Sequence, residues 1–136
     1  MIRIQQEDYS VDDVVNALKQ PGVGAVVAFS GSVRGTSRDG TPVEYVEWDV
    51  YESMARKIFE TIRREALEQF GLRDAAIVHR CGRHRPGENL VLIVTASAHR
   101  KEAFQACEWI MNEIKKKAPL WKKEILTGGR ERWIEG

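Results

Sequence analysis

Apolar positions recur along the chain with two different periods, and these periods predict the secondary structure. Residues 1–6 alternate as a short strand, and a helical pattern begins at Ser10 and ends at Pro21. The run 24–33 is almost entirely apolar or small, which predicts a buried strand. Residues 34–42 are rich in turn formers and predict a loop.

The middle of the chain shows the same two hydrophobic periods. Residues 43–51 alternate as a strand with one solvated face, and 54–70 carry a helical stripe that ends at Gly71. Two apolar segments, 75–80 and 89–97, flank Pro86-Gly87 and predict a hairpin. Residues 122–127 predict the last strand.

A third helix is predicted between His99 and Pro119. Its apolar positions recur every three or four residues: Ala103, Phe104, Cys107, Ile110, Met111 and Ile114. Pro119 lacks a backbone N–H and disfavours helical geometry at the residue before it, so the helix should end there.

The predicted order is strand, helix, strand, strand, helix, strand, strand, helix, strand. Mixed strands and helices with hairpin signals indicate an α+β fold and not a doubly wound sheet. The 136 residues are enough for one domain with a real core, and we expect a single domain over 1–136.

Composition limits the classes of function. The 21 Lys and Arg nearly balance the 20 Asp and Glu, so any affinity for anions must come from local clustering. The longest apolar run is too short to span a bilayer, and the chain opens directly on a strand pattern without a signal peptide. Two cysteines indicate neither a disulfide framework nor a metal site, and Cys107 is expected in the core. We therefore expect a cytoplasmic protein.

Cations lie at both ends of the third predicted helix. His99 and Arg100 lie at its start, where free backbone N–H groups attract anions, and Lys115 to Lys117 lie in its last turn. The helix dipole alone favours lysines at that end. His99 could also be a partly buried histidine and Arg100 an ordinary surface charge. Lys115 differs because its stem borders the apolar stripe. Arg34, delivered by a glycine-containing strand, is a further basic candidate.

Several motifs together closely resemble the large, catalytic subunit of molybdopterin synthase, over nearly the whole chain. The residues that carry the resemblance are Gly31-Ser32-Val33-Arg34, Glu47 to Tyr51 with Met54-Ala55, His79-Arg80-x-Gly82, Pro86-Gly87-Glu88, Ser97-x-His99-Arg100-x-x-Ala103-Phe104, Lys115, and Pro119-Leu120-Trp121-Lys122-Lys123-Glu124. The SxHRxxAF and PxWKxE segments are specific as a pair.

The resemblance implies an α/β hammerhead-type fold, with a mixed or antiparallel sheet and three main helices. It implies a homodimer that binds two small ubiquitin-like subunits to form a heterotetramer. Each small subunit would carry a thiocarboxylate on its C-terminal Gly-Gly. The enzyme would be a sulfurtransferase of molybdenum cofactor biosynthesis, placing two sulfurs on cyclic pyranopterin monophosphate to make the dithiolene of molybdopterin. No cofactor and no metal are expected.

The resemblance also implies the site residues. Lys115 and Lys122 would be catalytic, and the substrate would be bound by Ser32, Val33, Arg34, His99, Arg100, Lys123, Glu124 and Arg132. Arginine suits the phosphate, and lysine crowded by other cations can exchange a proton near neutral pH. Arg100 and Lys115 are fifteen residues apart on one helix, or roughly 22 Å. We therefore expect each site to combine Lys115 of one subunit with His99 and Arg100 of the other.

Two other functions remain open from the residues alone. The chain could be a nucleic-acid-binding α+β module in which Trp121, Trp133 and the lysine cluster stack on and neutralise a single strand. Near-zero net charge weakens that interpretation. It could also be a regulatory subunit that recognises a ubiquitin-like tail without performing chemistry.

Overall fold

The computed structural model describes residues 1–135, which form eight strands and three helices. In chain order the elements are β1 (Ile2–Gln5), α1 (Val11–Leu18), β2 (Ala25–Ser32), β3 (Val43–Val50), α2 (Glu52–Phe70), β4 (Asp74–Arg80), β5 (Gly82–His84), β6 (Asn89–Ser97), α3 (Arg100–Lys117), β7 (Leu120–Leu126) and β8 (Glu131–Glu135). The predicted α+β class and all nine predicted elements are confirmed. The short strands β5 and β8 were not predicted.

The first sheet has the strand order β1-β4-β6-β2. Strands β4 and β6 are antiparallel neighbours, which confirms the pairing predicted around Pro86-Gly87, and β1 runs parallel to β4. Both central strands are buried on both faces. Because side chains alternate along a strand, Val78 packs towards α1 while Ile77 packs towards α2 and α3.

The second sheet has the order β5-β3-β7-β8, and all its neighbours are antiparallel. The solvated face predicted for residues 43–51 is confirmed: Val46 and Trp48 join the main core, whereas Glu47 is partly exposed and Asp49 is exposed. A shift of register between Val43 and Tyr45 breaks the strict alternation, so Val43 is buried and Glu44 is exposed. The turn between β7 and β8 contains Gly128 and Gly129, both with φ near +90°. That conformation is easy for glycine alone, so the Gly-Gly pair returns the chain and creates β8.

The expectation that β2 is buried was wrong. Among the described strands β2 pairs only with β6, so it lies at an edge of the first sheet, and Phe29 is 41% exposed. Phe104, expected on the buried stripe of α3, is 62% exposed. With Val27, Cys107 and Met111 these two residues line an apolar groove between β2 and α3. Apolar character predicts burial but does not say whether this chain or another one provides the cover.

The helix ends follow the sequence signals. Ser10 caps α1, its hydroxyl accepting a hydrogen bond from the Asp13 amide at 3.2 Å. Gly71 ends α2 in the left-handed conformation, and Ala118 is extended immediately before Pro119. Within residues 1–135 no helix has both the length and the apolar character that crossing a membrane requires.

Candidate active site

A cleft lies where the end of β2, the last turn of α3 and the inner face of β7 meet. It has two adjoining lobes of about 310 and 490 Å³, a size suited to a small molecule. Six residues line both lobes: Ser32, Arg34, Arg38, Leu90, Lys122 and Ile134. Val33 and Glu124 line the smaller lobe, and Lys115 lines the larger.

Lys122 lies at the centre of this cleft. Its ammonium group is half-buried, 6.0 Å from the centre of the Trp48 ring and 3.9 Å from a carboxylate oxygen of Glu124. Burial lowers the pKa of Lys122, and the nearby cations Arg34, Arg38 and Lys115 lower it further, against the opposite effect of Glu124. The protonated lysine is therefore easier to deprotonate here than in water.

Lys115 and Arg34 reach the same cleft from two other elements. Lys115 is exposed in the last turn of α3, and its neighbours in the larger lobe include Met111 and Ile114. Arg34 follows directly after the end of β2 and donates one hydrogen bond, of 3.4 Å, to the Thr36 carbonyl. The tertiary structure thus brings together the cations predicted at positions 34, 115 and 122.

Glu124 and Arg132 form a pair of opposite charges at the wall of the cleft. Glu124 is 3% exposed, and Arg132 lies opposite it on β8 in the strand register. The Arg132 Nη2 group lies 3.3 Å from one carboxylate oxygen of Glu124, while the other oxygen faces Lys122. Arg132 also donates to Ser37 at 2.6 Å and to Asp39 at 3.1 Å. Both terminal nitrogens of Arg132 are thus engaged by protein groups, whereas its buried Nε has no hydrogen-bond partner among the described residues.

Lys123 is not brought to the cleft. Neighbouring side chains on a strand point to opposite faces, so Lys123 lies on the outer face of β7 while Lys122 lies on the inner one. There its ammonium group lies 3.4 Å from Glu47 and 3.6 Å from Glu131, and 5.2 Å from the centre of the Trp133 ring. These carboxylates raise its pKa.

His99 and Arg100 are exposed at the opposite end of α3 from Lys115. Neither lines the cleft of the same chain. Arg100 and Lys115 are fifteen residues apart along α3, as the sequence predicted. Within one chain, the predicted site residues therefore lie in three places: at the cleft, at the start of α3 and, for Lys123, on the outer face of β7.

Three further cleft residues were not predicted. Arg38 lies at the tip of the loop between β2 and β3, four residues beyond Arg34, and lines both lobes. The sequence offered one signal for Arg38, namely a second arginine in a turn-rich segment shortly after Arg34. Nothing in the sequence shows that this loop folds over the cleft. His79 and Trp48 line the larger lobe, their rings in edge-to-face contact at 5.2 Å between centres.

The cleft is built to bind anions. Four cationic side chains line it against one carboxylate among the described lining residues: Arg34, Arg38, Lys115 and Lys122 against Glu124. Burial lowers the pKa of His79 to about 4, so that this ring is neutral at physiological pH. Within residues 1–135 no group of three His, Cys, Asp or Glu side chains could hold a metal ion. The described groups can bind a phosphate or carboxylate and transfer protons through lysine.

Comparison with known proteins gives a consistent family. The family model described as MoaE protein matches residues 4–117. The molybdopterin synthase catalytic subunit of Pyrococcus abyssi is 42% identical over 130 residues, covering 96% of this chain and 86% of the relative. A crystal structure of molybdopterin synthase from Staphylococcus aureus is 34% identical, with a TM-score of 0.92, covering 98% of this chain and 96% of that one.

A more distant structure shares the fold. It is a Helicobacter pylori complex described as subunits 1 and 2 of molybdopterin-converting factor, 22% identical with a TM-score of 0.76, covering 99% of this chain and 89% of that one. The family model spans most of the chain, and the relative from Pyrococcus abyssi is well above 30% identical over nearly the full length. The resemblance read from the motifs is thereby confirmed, and the chain belongs to the MoaE protein family.

Proposed function

We propose that this chain is the catalytic subunit of a molybdopterin synthase. It converts cyclic pyranopterin monophosphate to molybdopterin with sulfur from the C-terminal thiocarboxylate of a small ubiquitin-like subunit. The observation that carries the proposal is the convergence of Arg34, Lys115 and Lys122 on one cleft, in a chain whose relatives bear this name. The nucleic-acid alternative gains no support, because Trp121 and Trp133 lie on a sheet face that also carries the acidic residues Glu47 and Glu131.

The cleft charges suit this substrate. The cyclic phosphate is a diester, and its two free oxygens share one negative charge that the planar guanidinium of Arg34 can bind through two parallel hydrogen bonds. The excess of cations in the cleft also favours the approach of a thiocarboxylate, which is an anion. The positive electrostatic potential of the cleft therefore favours binding of both reactants.

The lysines suit the chemistry. When a thiocarboxylate sulfur forms a bond to a carbon of the pterin side chain, the C–O bond at that carbon breaks and the departing oxygen must receive a proton. Water then hydrolyses the resulting thioester, which leaves the sulfur on the pterin and an ordinary carboxylate on the small subunit. Lys122 can donate the proton because burial and neighbouring cations lower its pKa. Lys115, in the same lobe, would stabilise negative charge as it develops and help to hold the incoming tail.

The second cluster is proposed to complete the site across a homodimer. His99 and Arg100 lie at the far end of α3 from Lys115, so a small substrate cannot touch both clusters in one chain. The exposed edge of β2 and the groove lined by Phe29 and Phe104 form an apolar surface that a second copy could cover. The groove shares Phe29 and Met111 with the lining of the cleft, so such a contact would lie beside the active site.

The partner is proposed to be a small subunit bound to each large one, giving a heterotetramer. Its extended C-terminal Gly-Gly would enter the cleft, because a tail without side chains brings a terminal thiocarboxylate close to Lys122 with the least steric hindrance. The description of the Helicobacter pylori complex as two subunits of one converting factor supports a two-subunit assembly.

One assay tests the proposal directly. Purified chain is mixed with cyclic pyranopterin monophosphate and a thiocarboxylated small subunit, and molybdopterin is measured. Product should form at a rate that depends on all three components. A small subunit ending in an ordinary carboxylate is the control and should give none. Binding of the small subunit without any product would instead support the regulatory alternative.

A further inference from the structure

We propose that Arg38 is an additional anion-binding residue of the cleft and that Arg132 positions it by holding its loop. This inference rests on the proposed function and names a further residue of the same site. It also changes the role of Arg132, which the sequence resemblance had placed in contact with substrate. In this proposal Arg132 acts through its neighbours.

Arg38 has the surroundings of a ligand-binding cation. It is exposed and lines both lobes of the cleft, together with Arg34 and Lys122. Among the described side chains no carboxylate lies within 4.0 Å of its guanidinium group, whereas Asp39 on the same loop and Glu124 on β7 are both paired with Arg132. Its charge lies close enough to Lys122 to contribute to the lowered pKa of that lysine. An exposed guanidinium without a protein partner at the mouth of a cationic cleft is free to bind an anion.

The loop that carries Arg38 is fixed on both sides of this residue. Arg132 donates to the hydroxyl of Ser37 at 2.6 Å and to the carboxylate of Asp39 at 3.1 Å. We call these two contacts the Arg132 latch. Ser37 is only 6% exposed, and the Arg132 guanidinium holds the pKa of Asp39 well below its usual range. Arg132 itself is fixed in β8 of the second sheet, so the latch ties the loop to a rigid element.

Contacts within the loop complete the restraint. The Ser37 amide donates to the Thr41 carbonyl at 2.8 Å, and the Thr41 amide donates to Asp39 at 3.1 Å. A bridge between Thr36 and Pro42 closes the base of the loop. Ordering a loop costs conformational entropy. Because this loop is already ordered before the ligand binds, that cost does not weaken binding. The latch therefore presents Arg38 to the cleft in advance.

Two reactants carry a suitable anion: the phosphate of the pterin and the thiocarboxylate of the small subunit. Both offer oxygen or sulfur acceptors that a guanidinium group recognises. Separate titrations distinguish them, because loss of Arg38 should raise the KM of the reactant that it binds and leave the KM of the other unchanged.

The first experiment compares Arg38→Met with Arg38→Lys and with Arg64→Met, an exposed arginine on α2, as matched control. Arg38→Met should raise the KM of one reactant about tenfold with kcat within about twofold, the loss expected for one charged hydrogen bond. Arg38→Lys should recover part of the affinity, and Arg64→Met should behave as the wild type. Unchanged KM values for both reactants in Arg38→Met would overturn the proposal. An inactive wild type would instead count against the proposed function.

The second experiment tests the latch with the variant Asp39→Asn. Substitution of Arg132 is avoided because Arg132 also contacts Glu124, so its loss would disturb Lys122. Asp39→Asn should raise the same KM roughly threefold. In the double variant Arg38→Met/Asp39→Asn this effect should vanish, because a loop without its arginine has nothing left to position. Effects that multiply in the double variant would show that Asp39 acts independently of Arg38 and would reject the latch.

Discussion

At the scale of single residues, the cleft shows how a protein makes a lysine easier to deprotonate. Lys122 loses water on burial beside Trp48 and faces three other cations, and both effects favour its neutral form. The negative charge of Glu124 opposes this lowering of the Lys122 pKa, and Arg132 in turn pairs with Glu124. An arginine at position 122 would stay charged in the same surroundings, so the choice of lysine matters for the chemistry.

Lys115→Ala should lower product formation at least a hundredfold, because the variant removes a cleft cation that we propose stabilises the negative charge developing in the reaction. The side chain is exposed, so thermal unfolding should change little. Lys116→Ala is the matched control from the same helical turn and should keep near-normal turnover. Turnover by Lys115→Ala close to that of the wild type would remove Lys115 from the mechanism.

His79 makes the stability of the fold depend on pH. Its pKa is about 4 when folded and about 6.5 when unfolded, so between these values the unfolded chain binds the extra proton. Stability is therefore retained above pH 6.5 and falls as the pH decreases towards 4. From pH 8 to pH 5 the loss due to His79 should be about 2 kcal/mol.

Urea unfolding of His79→Gln and the wild type at pH 8 and pH 5 measures this contribution. The comparison uses only the change in the free energy of unfolding between pH 8 and pH 5, so the variant need not match the wild type at either pH. This free energy should decrease by about 2 kcal/mol less in His79→Gln than in the wild type. Equal decreases in both proteins would show that the buried imidazole is not the source.

At the scale of elements, strand β7 decides which of two adjacent lysines reaches the cleft. Lys122 lies on the inner face with Glu124, whereas Lys123 lies on the outer face between Glu47 and Glu131. The antiparallel register with β3 and β8 fixes this assignment, since a shift by one residue would exchange the two faces.

Lys122→Met and Lys123→Met should therefore differ sharply. Loss of Lys122 should reduce kcat at least a hundredfold because the proposed proton donor is gone, whereas Lys123→Met should stay within about threefold of the wild type. Steady-state kinetics with both reactants at saturation provide the measurement. A large loss of kcat in Lys123→Met would place Lys123 at the reacting centre, whereas the sequence resemblance had implied only that it binds the substrate.

At the scale of the whole molecule, the length of α3 favours an active site shared between two copies of the chain. The helix separates the cluster at Arg100 from the cluster at Lys115, yet the resemblance places both at one pocket. Two copies related by a twofold axis can satisfy both conditions, because each then supplies the opposite end of its helix to the other.

Mixed dimers of Lys115→Ala and Arg100→Ala chains should recover activity. In such a heterodimer one site carries both substitutions and the other carries neither, so about half the wild-type activity is expected by this count. Differently tagged chains allow the heterodimer to be purified before assay. Each homodimer of a single variant serves as control and should be nearly inactive. An inactive purified heterodimer would contradict a shared site.

The sequence by itself determined the elements and much of the chemistry. Period and helix-end signals are local, because a side chain's direction follows from its position in its own helix or strand. For this reason the ends of α2 and α3 were predicted closely. The motifs around Arg34, Lys115 and Lys122 also indicate the family from the sequence alone.

Only the tertiary structure decided which distant residues meet. Strand order placed β2 at an edge and left Phe29 exposed, although its apolar sequence predicted burial. Strand register directed Lys123 away from the cleft, and the pairing of β8 with β7 brought Arg132 to the loop of Arg38. The physical reason is that such contacts depend on how separate elements pack, which no local period along the chain encodes.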